Sequence, residues 1–254
     1  MTLNMNSYMN HFADNAAKYQ QFRPHYPKAL YEYLLTLTQK HERSWDVGTG
    51  NGQAATALSP FFREVIATDL KQGQLDAAPK KDNIHYIACP AEKPPIQEHS
   101  IDLITVAQAL HWFQFDEFYQ EVRRVIKPGG VFSAWCYTLA NISPAIDKLT
   151  QHLYSDILGD TYWPKERHYI DEQYQTIPFP FHRIQTPIFM IERPLNLFQW
   201  IGYLNTWSAL QEYKNKNAEK NPLDWIIDDL QKAWGAPEKI YQTQTPIYLL
   251  ATQC

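Results

Sequence analysis

The sequence predicts an α/β fold with a mostly parallel sheet of seven strands, helices on both faces of the sheet, and a helical cap insertion. Three observations lead to this prediction. Short β-prone runs recur at spacings that leave room for a helix, a glycine-rich turn follows the first run, and helical patterns predominate after the fifth. Because parallel strands need long crossover connections, strands that alternate with helices are typical of a parallel sheet.

The first half of the chain supplies the alternating elements in order. A helix is predicted at 26–37, after the proline-punctuated "RPHYP". Further helices are predicted at 53–62, after Asp69, and at 115–126, where apolar side chains recur at helical spacing and "KPGG" should stop the helix. The predicted strands are "SWDVG" at 44–48, "EVIATDL" at 64–70, "IHYIA" at 84–88, "IDLITVAQ" at 101–108 and "VFSAWC" at 131–136.

The second half changes character. Helical patterns at 141–158, 195–213 and 224–234 predict a second, helical layer, and two late runs at 183–192 and 245–253 predict a strand pair at the far end of the sheet. The predicted organisation is a lid and first helix at 1–39, a core at 40–137, a cap or substrate region at 138–182 and 193–240, and late antiparallel strands at 183–192 and 241–254.

Composition excludes several classes of protein. A net charge of −4, from 23 Lys and Arg against 27 Asp and Glu without a long basic run, argues against a nucleic-acid partner. The three cysteines are far apart, so neither a disulfide framework nor a metal motif is expected. The first residues lack a signal-peptide pattern, and no apolar run approaches the roughly 20 residues of a membrane span. We therefore expect a cytoplasmic protein without metal or membrane contact, as a monomer or homodimer.

The glycine-rich turn is the main functional signal. Gly48, Gly50 and Gly52 lie between a strand and a helix, where bare backbone lets a ligand approach the N–H groups at the helix start. The dinucleotide fingerprint would require glycine at position 53, where the chain has Gln53, so a nicotinamide-dependent dehydrogenase is disfavoured. Asp69 ends the second predicted strand and either accepts hydrogen bonds from a ribose or caps the next helix.

Taken together, four motifs in order resemble the class I S-adenosylmethionine-dependent methyltransferases. They are "DVGTGNGQ", "ATDL", the stretch from "CPAE" to "ALHWF", and "RVIKPGGVFSAW", all within residues 40–136. The segments "YQQFRPHYP", "AQALHW" and "NTWSAL" further resemble a subgroup similar to trans-aconitate methyltransferases and carboxyl-methylating relatives. The resemblance implies a Rossmann-like fold, S-adenosylmethionine as cofactor, S-adenosylhomocysteine as product and a small-molecule acceptor.

The resemblance also assigns site residues. Where such proteins often carry Gly-Asp, this chain has Cys89 and Pro90, and Pro90 offers no N–H to an adenine. The implied cofactor-binding residues are Gly48, Thr49, Gly50, Gly52 and Gln53 near the methionine moiety, Asp69 and Leu70 at the ribose, Ala91 and Glu92 at the adenine, Gln108, Ala109 and His111 beside the sulfonium, and Tyr19 and Arg23 in a lid.

Few residues need to perform acid or base work in methyl transfer. A carboxylate acceptor is already ionised at neutral pH, whereas a phenol or alcohol would gain from a base. His111 and Tyr19 are the catalytic candidates, with His111 either a base or a purely architectural contact. Trp112, Trp207 and Ser208 are the substrate-binding candidates, although such aromatics are often core. Spacing does not choose a carboxylate anchor among Arg167, Arg183 and Arg193.

The predicted function is O-methylation of a small-molecule carboxylate with S-adenosylmethionine as the methyl donor. Two alternatives stay open at this point. A C-methyltransferase of quinone-type biosynthesis would share every cofactor motif, and a non-catalytic S-adenosylmethionine-binding module would share the fold without the chemistry.

Overall fold

The computed structural model describes residues 22–218 and 220–254. Seven strands form one sheet in the order β3-β2-β1-β4-β5-β7-β6. The first five strands in chain order pair in parallel, and β7 runs antiparallel to β5, so the predicted mixed, mostly parallel sheet is confirmed. The strands are β1 Arg43–Val47, β2 Glu64–Asp69, β3 Ile84–Ala88, β4 Ile101–Ala107, β5 Ile126–Tyr137, β6 Phe189–Leu195 and β7 Tyr241–Gln253.

The strand order reverses between β1 and β4. The chain winds outward from β1 to β2 and β3, then crosses back to β4 and β5 on the other side of β1. In open α/β sheets such a switch point leaves a crevice at the carboxyl ends of the two central strands, where ligands bind. The glycine turn after β1 and the segment that begins at Gln108 after β4 both lie at this crevice.

The chain divides into two compact units. The sheet unit contains residues 26–138, 166–190 and 246–254. Its strand β4 is buried at six of seven residues, as expected of a central strand that is covered on both faces. The helices of this unit are α1 Lys28–Leu37, α2 Gln53–Leu58, α3 Gln72–Asp76, α4 Phe115–Val125 and α7 His168–Asp171, with 3₁₀ turns at Leu110–Trp112 and Lys165–Arg167, the latter at the unit boundary.

The second unit contains residues 139–165 and 191–245 together with the described part of 1–25. Its core is rich in aromatic side chains, including Trp200, Tyr203 and Trp207. Its helices are α5 Pro144–Gln151, which continues as a π-helix over His152–Leu158, α6 Gly159–Tyr162, α8 Leu197–Leu204, α9 Ser208–Lys216 and α10 Ile227–Trp234, with a 3₁₀ turn at Pro222–Trp225.

Several boundaries differ from the predictions. The late strand predicted at 183–192 begins only at Phe189, since residues 184–186 follow β7 through isolated hydrogen bonds and Pro187 lacks an N–H. "KPGG" does not separate the helix from the strand, because β5 already starts at Ile126 and the pairing with β4 shifts register around this motif. Residues 166–182, predicted as cap, instead pack in the sheet unit, where Ile170, Tyr174 and Ile177 join its core.

The predicted helix at 195–213 is two helices. The chain leaves helical geometry between Leu204 and Ser208, and α9 starts anew after Trp207.

In the part of the chain that the structure describes, no helix combines the length and the apolar character needed to cross a bilayer.

Candidate active site

The turn after β1 holds its three glycines in left-handed backbone conformations, with φ of +63° at Gly48, +55° at Gly50 and +79° at Gly52. A Cβ at Gly48 would lie 2.7 Å from the Cβ of Ala109, and one at Gly52 would lie 2.5 Å from the hydroxyl of Tyr86. At Gly50 an added Cβ would meet nothing within 4 Å. The turn is therefore packed from behind at its two ends and faces open space at its middle, as the binding of a ligand to bare backbone requires.

Asp46 anchors this turn from the buried strand beneath it. Its Oδ2 accepts hydrogen bonds from the Thr49 hydroxyl at 2.5 Å and from the Ala55 N–H at 3.1 Å, and its Oδ1 accepts from the Thr105 hydroxyl at 2.8 Å. Complete burial raises the pKa of Asp46 to about 6, although these three donors oppose the shift. Asp46 thus ties the turn to α2 and β4, a role that we did not predict from the sequence.

Asp69 is held with its carboxylate fixed at the end of β2. Oδ2 accepts from the Gly50 N–H and Oδ1 from the Lys71 N–H, both at 2.9 Å. The predicted ribose carboxylate therefore lies against the middle glycine of the turn. Leu70, next in the chain, is 73% exposed, and its contact with a cofactor stays a prediction.

The predicted adenine residues lie beyond β3. Ala91 is buried, and Glu92 accepts a hydrogen bond from the Gln114 N–H through Oε1 at 2.8 Å. The Cys89 N–H donates to the Asp69 carbonyl, so the strand-end pairing continues up to Pro90. Glu92 is consequently engaged with the start of α4, and its contact with an adenine stays a prediction.

The segment after β4 is strained and internally bonded. Gln108 has a φ of +57°, uncommon for a residue other than glycine. Its carboxamide binds the backbone of Tyr137 twice, accepting from the Tyr137 N–H at 2.8 Å and donating to the Tyr137 carbonyl at 3.3 Å. The side chain of Gln108 therefore fixes the ends of β4 and β5 together, while Ala109 packs behind Gly48.

His111 lies in the 3₁₀ turn that follows and is 4% exposed. Its Nδ1 is 2.9 Å from the hydroxyl of Tyr174, a residue 63 positions later in the chain. Burial, with a smaller contribution from the positive charge of Arg167, lowers the pKa of His111 to about 3. The imidazole is therefore neutral at physiological pH. Trp112, its neighbour, is 54% exposed, so its indole is available at the surface of the sheet unit.

The structure distinguishes the three candidate arginines. Arg183 donates to the Ile177 carbonyl at 3.3 Å and lies over the ring of Phe179, and Arg193 donates to the Phe22 carbonyl at 2.7 Å. Arg167 pairs with Asp171 at 3.5 Å, and its charge also acts on His111 and Cys136, which lie at the ends of β4 and β5. Of the three, Arg167 is the one whose charge reaches the residues after the central strands.

Three other predicted residues, Arg23, Trp207 and Ser208, lie in the second unit. The guanidinium of Arg23 donates from Nη2 to the carbonyl of Thr206 at 3.0 Å, directly before Trp207. The Trp207 ring is buried and contacts Tyr154, Trp163 and Tyr203, whereas Ser208 is exposed at the start of α9. Tyr19 lies outside the described residues. Within the described ranges no group of three His, Cys, Asp or Glu side chains is arranged to hold a metal ion.

Comparison with known proteins identifies the family. Residues 45–134 match the family model described as a methyltransferase domain. A Dictyostelium discoideum protein named as a methyltransferase is 33% identical over 95% of this chain and 94% of its own length. The chain belongs to the S-adenosylmethionine-dependent methyltransferases.

Two further similarities support the assignment of this chain to the methyltransferases. A solved structure from Anaeromyxobacter dehalogenans, named as a type II methyltransferase, superposes with a TM-score of 0.84 at 36% identity and covers 91% of this chain and 97% of that one. A malonyl-[acyl-carrier protein] O-methyltransferase of a Marinomonas species is 29% identical over 71% of this chain and 73% of its own length.

The methyltransferase contains two site residues that the sequence did not reveal. Asp46 precedes the glycine turn between Trp45 and Val47, and an acidic residue between two apolar ones in a strand is the signal that could have revealed it. Tyr174 offered no comparable signal, because its contact with His111 depends on how residues 166–190 fold back onto the sheet unit.

Proposed function

We propose that this methyltransferase methylates a carboxylate oxygen of a small molecule, as in the trans-aconitate methyltransferase-like subgroup. The burial of His111, which is 4% exposed and whose ring lies against the hydroxyl of Tyr174, is the observation that carries this proposal. A histidine with a pKa of about 3 is a poor general base at neutral pH, so the site favours an acceptor that is already ionised. The nearby charge of Arg167 favours an anion.

The residues at the switch point fit S-adenosylmethionine. Bare backbone at Gly50 borders open space, and the fixed carboxylate of Asp69 lies beside it, in reach of a ribose bound over the turn. Exposed Leu70 offers an apolar contact for an adenine face. These residues, with Gln108 and Ala109 behind the turn, would hold the cofactor, which supplies an electrophilic methyl group on a positively charged sulfur.

The protein's own contribution is to align the acceptor with the methyl group and to shield both from water. An ionised carboxylate oxygen already carries the attacking electron pair, so no proton has to leave the acceptor. What the protein must supply is an in-line approach and the exclusion of water. The Marinomonas relative supports this chemistry, since O-methylation of a malonyl thioester takes place on its free carboxylate.

Incubation with methyl-labelled S-adenosylmethionine and two sets of acceptors tests the proposal. One set contains small acids, including trans-aconitate and a malonyl thioester, and the other contains phenols and quinol precursors. We expect label in the acids as base-labile methyl esters. Label that is stable to base in a quinol ring would contradict the proposal, and binding of S-adenosylmethionine without transfer to any acceptor would contradict catalysis.

Arginine variants locate the carboxylate anchor. Arg167→Met should raise KM for the methylated acid about tenfold or more, because a charge-assisted contact is lost, with the Kd for S-adenosylhomocysteine little changed. Arg123→Met is the control, since Arg123 is an arginine of the same unit that donates to the Pro180 carbonyl and lies over the ring of Phe181. Equal effects of both variants on KM would exclude Arg167 as the anchor.

A further inference from the structure

The His111 ring is held by a buried partner that no cofactor motif includes. Tyr174 is fully buried in the core of the sheet unit, and its hydroxyl is 2.9 Å from Nδ1 of His111. Burial raises the pKa of Tyr174 well above its ordinary value, so the phenol keeps its proton. One of the two groups must donate in this hydrogen bond, and the surroundings of the phenol decide which one.

The hydroxyl of Tyr174 has one hydrogen-bond partner among the described residues, Nδ1 of His111. If Nδ1–H donated to the phenolic oxygen, the hydroxyl proton would be buried in the core without an acceptor, and a buried donor without a partner costs free energy. Tyr174 therefore donates its proton to Nδ1.

The backbone at Tyr174 is strained where the residue contacts His111. Gln173 and Tyr174 are consecutive non-glycine residues with φ of +58° and +61°. Such conformations cost free energy and persist where surrounding structure enforces them, often at functional sites. Here the Tyr174 N–H is held by the Tyr169 carbonyl at 2.7 Å, and the ring fills the core below the turn that carries His111.

The opposite ring nitrogen, Nε2, is not engaged by a described residue. Within residues 22–218 and 220–254 the His111 ring makes its hydrogen bond through Nδ1 alone. A neutral imidazole that accepts at Nδ1 carries its proton on Nε2. Nε2 can therefore donate to a molecule that binds at the end of β4.

We propose that Tyr174 is a positioning residue, whose hydroxyl donates to Nδ1 of His111 so that the imidazole offers Nε2–H to the acceptor as a hydrogen-bond donor and not as a base. This inference rests on the proposed function for the identity of the acceptor, a carboxylate. The tautomer and its dependence on Tyr174 do not rest on it. Arg167, Cys136 and Tyr119 are the other titratable groups whose interactions reach this pair.

Nitrogen-15 NMR of the histidine-labelled protein reads the tautomer directly, without any acceptor. We expect the His111 signals to show a protonated Nε2 and an unprotonated Nδ1 from about pH 5 to pH 8, since the pKa is far below this range. In Tyr174→Phe the two tautomers should mix. Tyr119→Phe is the matched control, because Tyr119 is an equally buried tyrosine whose hydroxyl donates to the Pro178 carbonyl. A protonated Nδ1 in the wild type would overturn the proposal even if Tyr174→Phe failed to fold.

Two substitutions of His111 separate a donor from a base. Glutamine places an amide near Nε2 and asparagine places one near Nδ1, and neither can act as a base. With trans-aconitate or a malonyl thioester as acceptor, we expect His111→Gln to retain kcat within about tenfold and His111→Asn to lose considerably more. Equal, near-complete loss in both would indicate a base and overturn the donor role. If the tautomer is as expected but no acid is methylated, the proposed acceptor is wrong and the pairing stands.

Discussion

At the scale of single residues, the three glycines of the turn after β1 serve different needs. All three have positive φ, which costs a residue with a side chain about 1–2 kcal/mol. Gly48 is also pressed against Ala109, a short side chain that has no rotamer with which to move away. Gly50 has no such neighbour, so an added Cβ there would occupy open space.

Alanine substitutions at Gly48 and Gly50 should therefore give opposite patterns. Gly48→Ala should lower the free energy of unfolding by roughly 3 kcal/mol, because the 2.7 Å contact with Ala109 adds overpacking to backbone strain. Gly50→Ala should cost only about 1–2 kcal/mol, from strain, yet weaken S-adenosylhomocysteine binding at least about tenfold. Urea unfolding and calorimetric titration measure the two quantities. If folded Gly50→Ala bound S-adenosylhomocysteine as tightly as the wild type, the result would contradict cofactor binding at this turn.

At the scale of elements, α8 shows how a glycine inside a helix can be required. Gly202 lies in the interior of α8, where alanine would ordinarily be favoured by about 1 kcal/mol. A Cβ there would lie 2.8 Å from the ring of Phe22, which is buried in the same unit. The glycine therefore lets the helix approach the segment that carries Phe22 and Arg23.

Gly202→Ala should accordingly destabilise the protein by about 1 kcal/mol, since overpacking of 1–3 kcal/mol exceeds the gain in helix propensity. In a Phe22→Leu background the same substitution should be neutral or stabilising. A double-mutant cycle from thermal or urea unfolding gives the coupling, expected at about 1 kcal/mol or more. A coupling near zero would show that Phe22 does not set the requirement for glycine.

At the scale of the whole molecule, the buried carboxyl of Asp46 makes global stability depend on pH. Its pKa rises from about 4 in the unfolded chain to about 6 in the folded protein. The folded state therefore binds more protons across this interval, and Asp46 contributes a loss of stability as pH increases from about 4 to about 6. Two pKa units correspond to roughly 3 kcal/mol.

Asp46→Asn should remove this contribution. The amide oxygen can still accept from Thr49 and Ala55, and the amide N–H₂ can donate to the Thr105 hydroxyl, which is free to rotate. The stability of the variant relative to the wild type should therefore increase by roughly 3 kcal/mol between about pH 4 and pH 7. Chemical denaturation at several pH values measures the difference, and a difference that is flat with pH would refute the raised pKa.

Much of the fold could be predicted from local patterns. The first four strands, α1 and α4 fall close to their predicted positions, because their apolar patterns are local, whereas β5 begins at Ile126 and not at the predicted residue 131. The late strands and the helices of 195–213 were placed less well. There the late strand pairs with β7, and the helix breaks at Asn205–Trp207, where the side chains of Asn205 and Thr206 donate to carbonyls of the preceding turn.

The sequence by itself determined the family, the parallel sheet and the glycine turn with its acidic partner Asp69, because these features are encoded by residues close together in the chain. Tertiary structure alone decided the burial of His111, the approach of the Arg167 charge to it, and the membership of residues 166–182 in the sheet unit. Each depends on contacts between residues dozens of positions apart, such as His111 with Tyr174. Such contacts leave no periodic trace in a single sequence, because the residues that meet are brought together only when the chain folds.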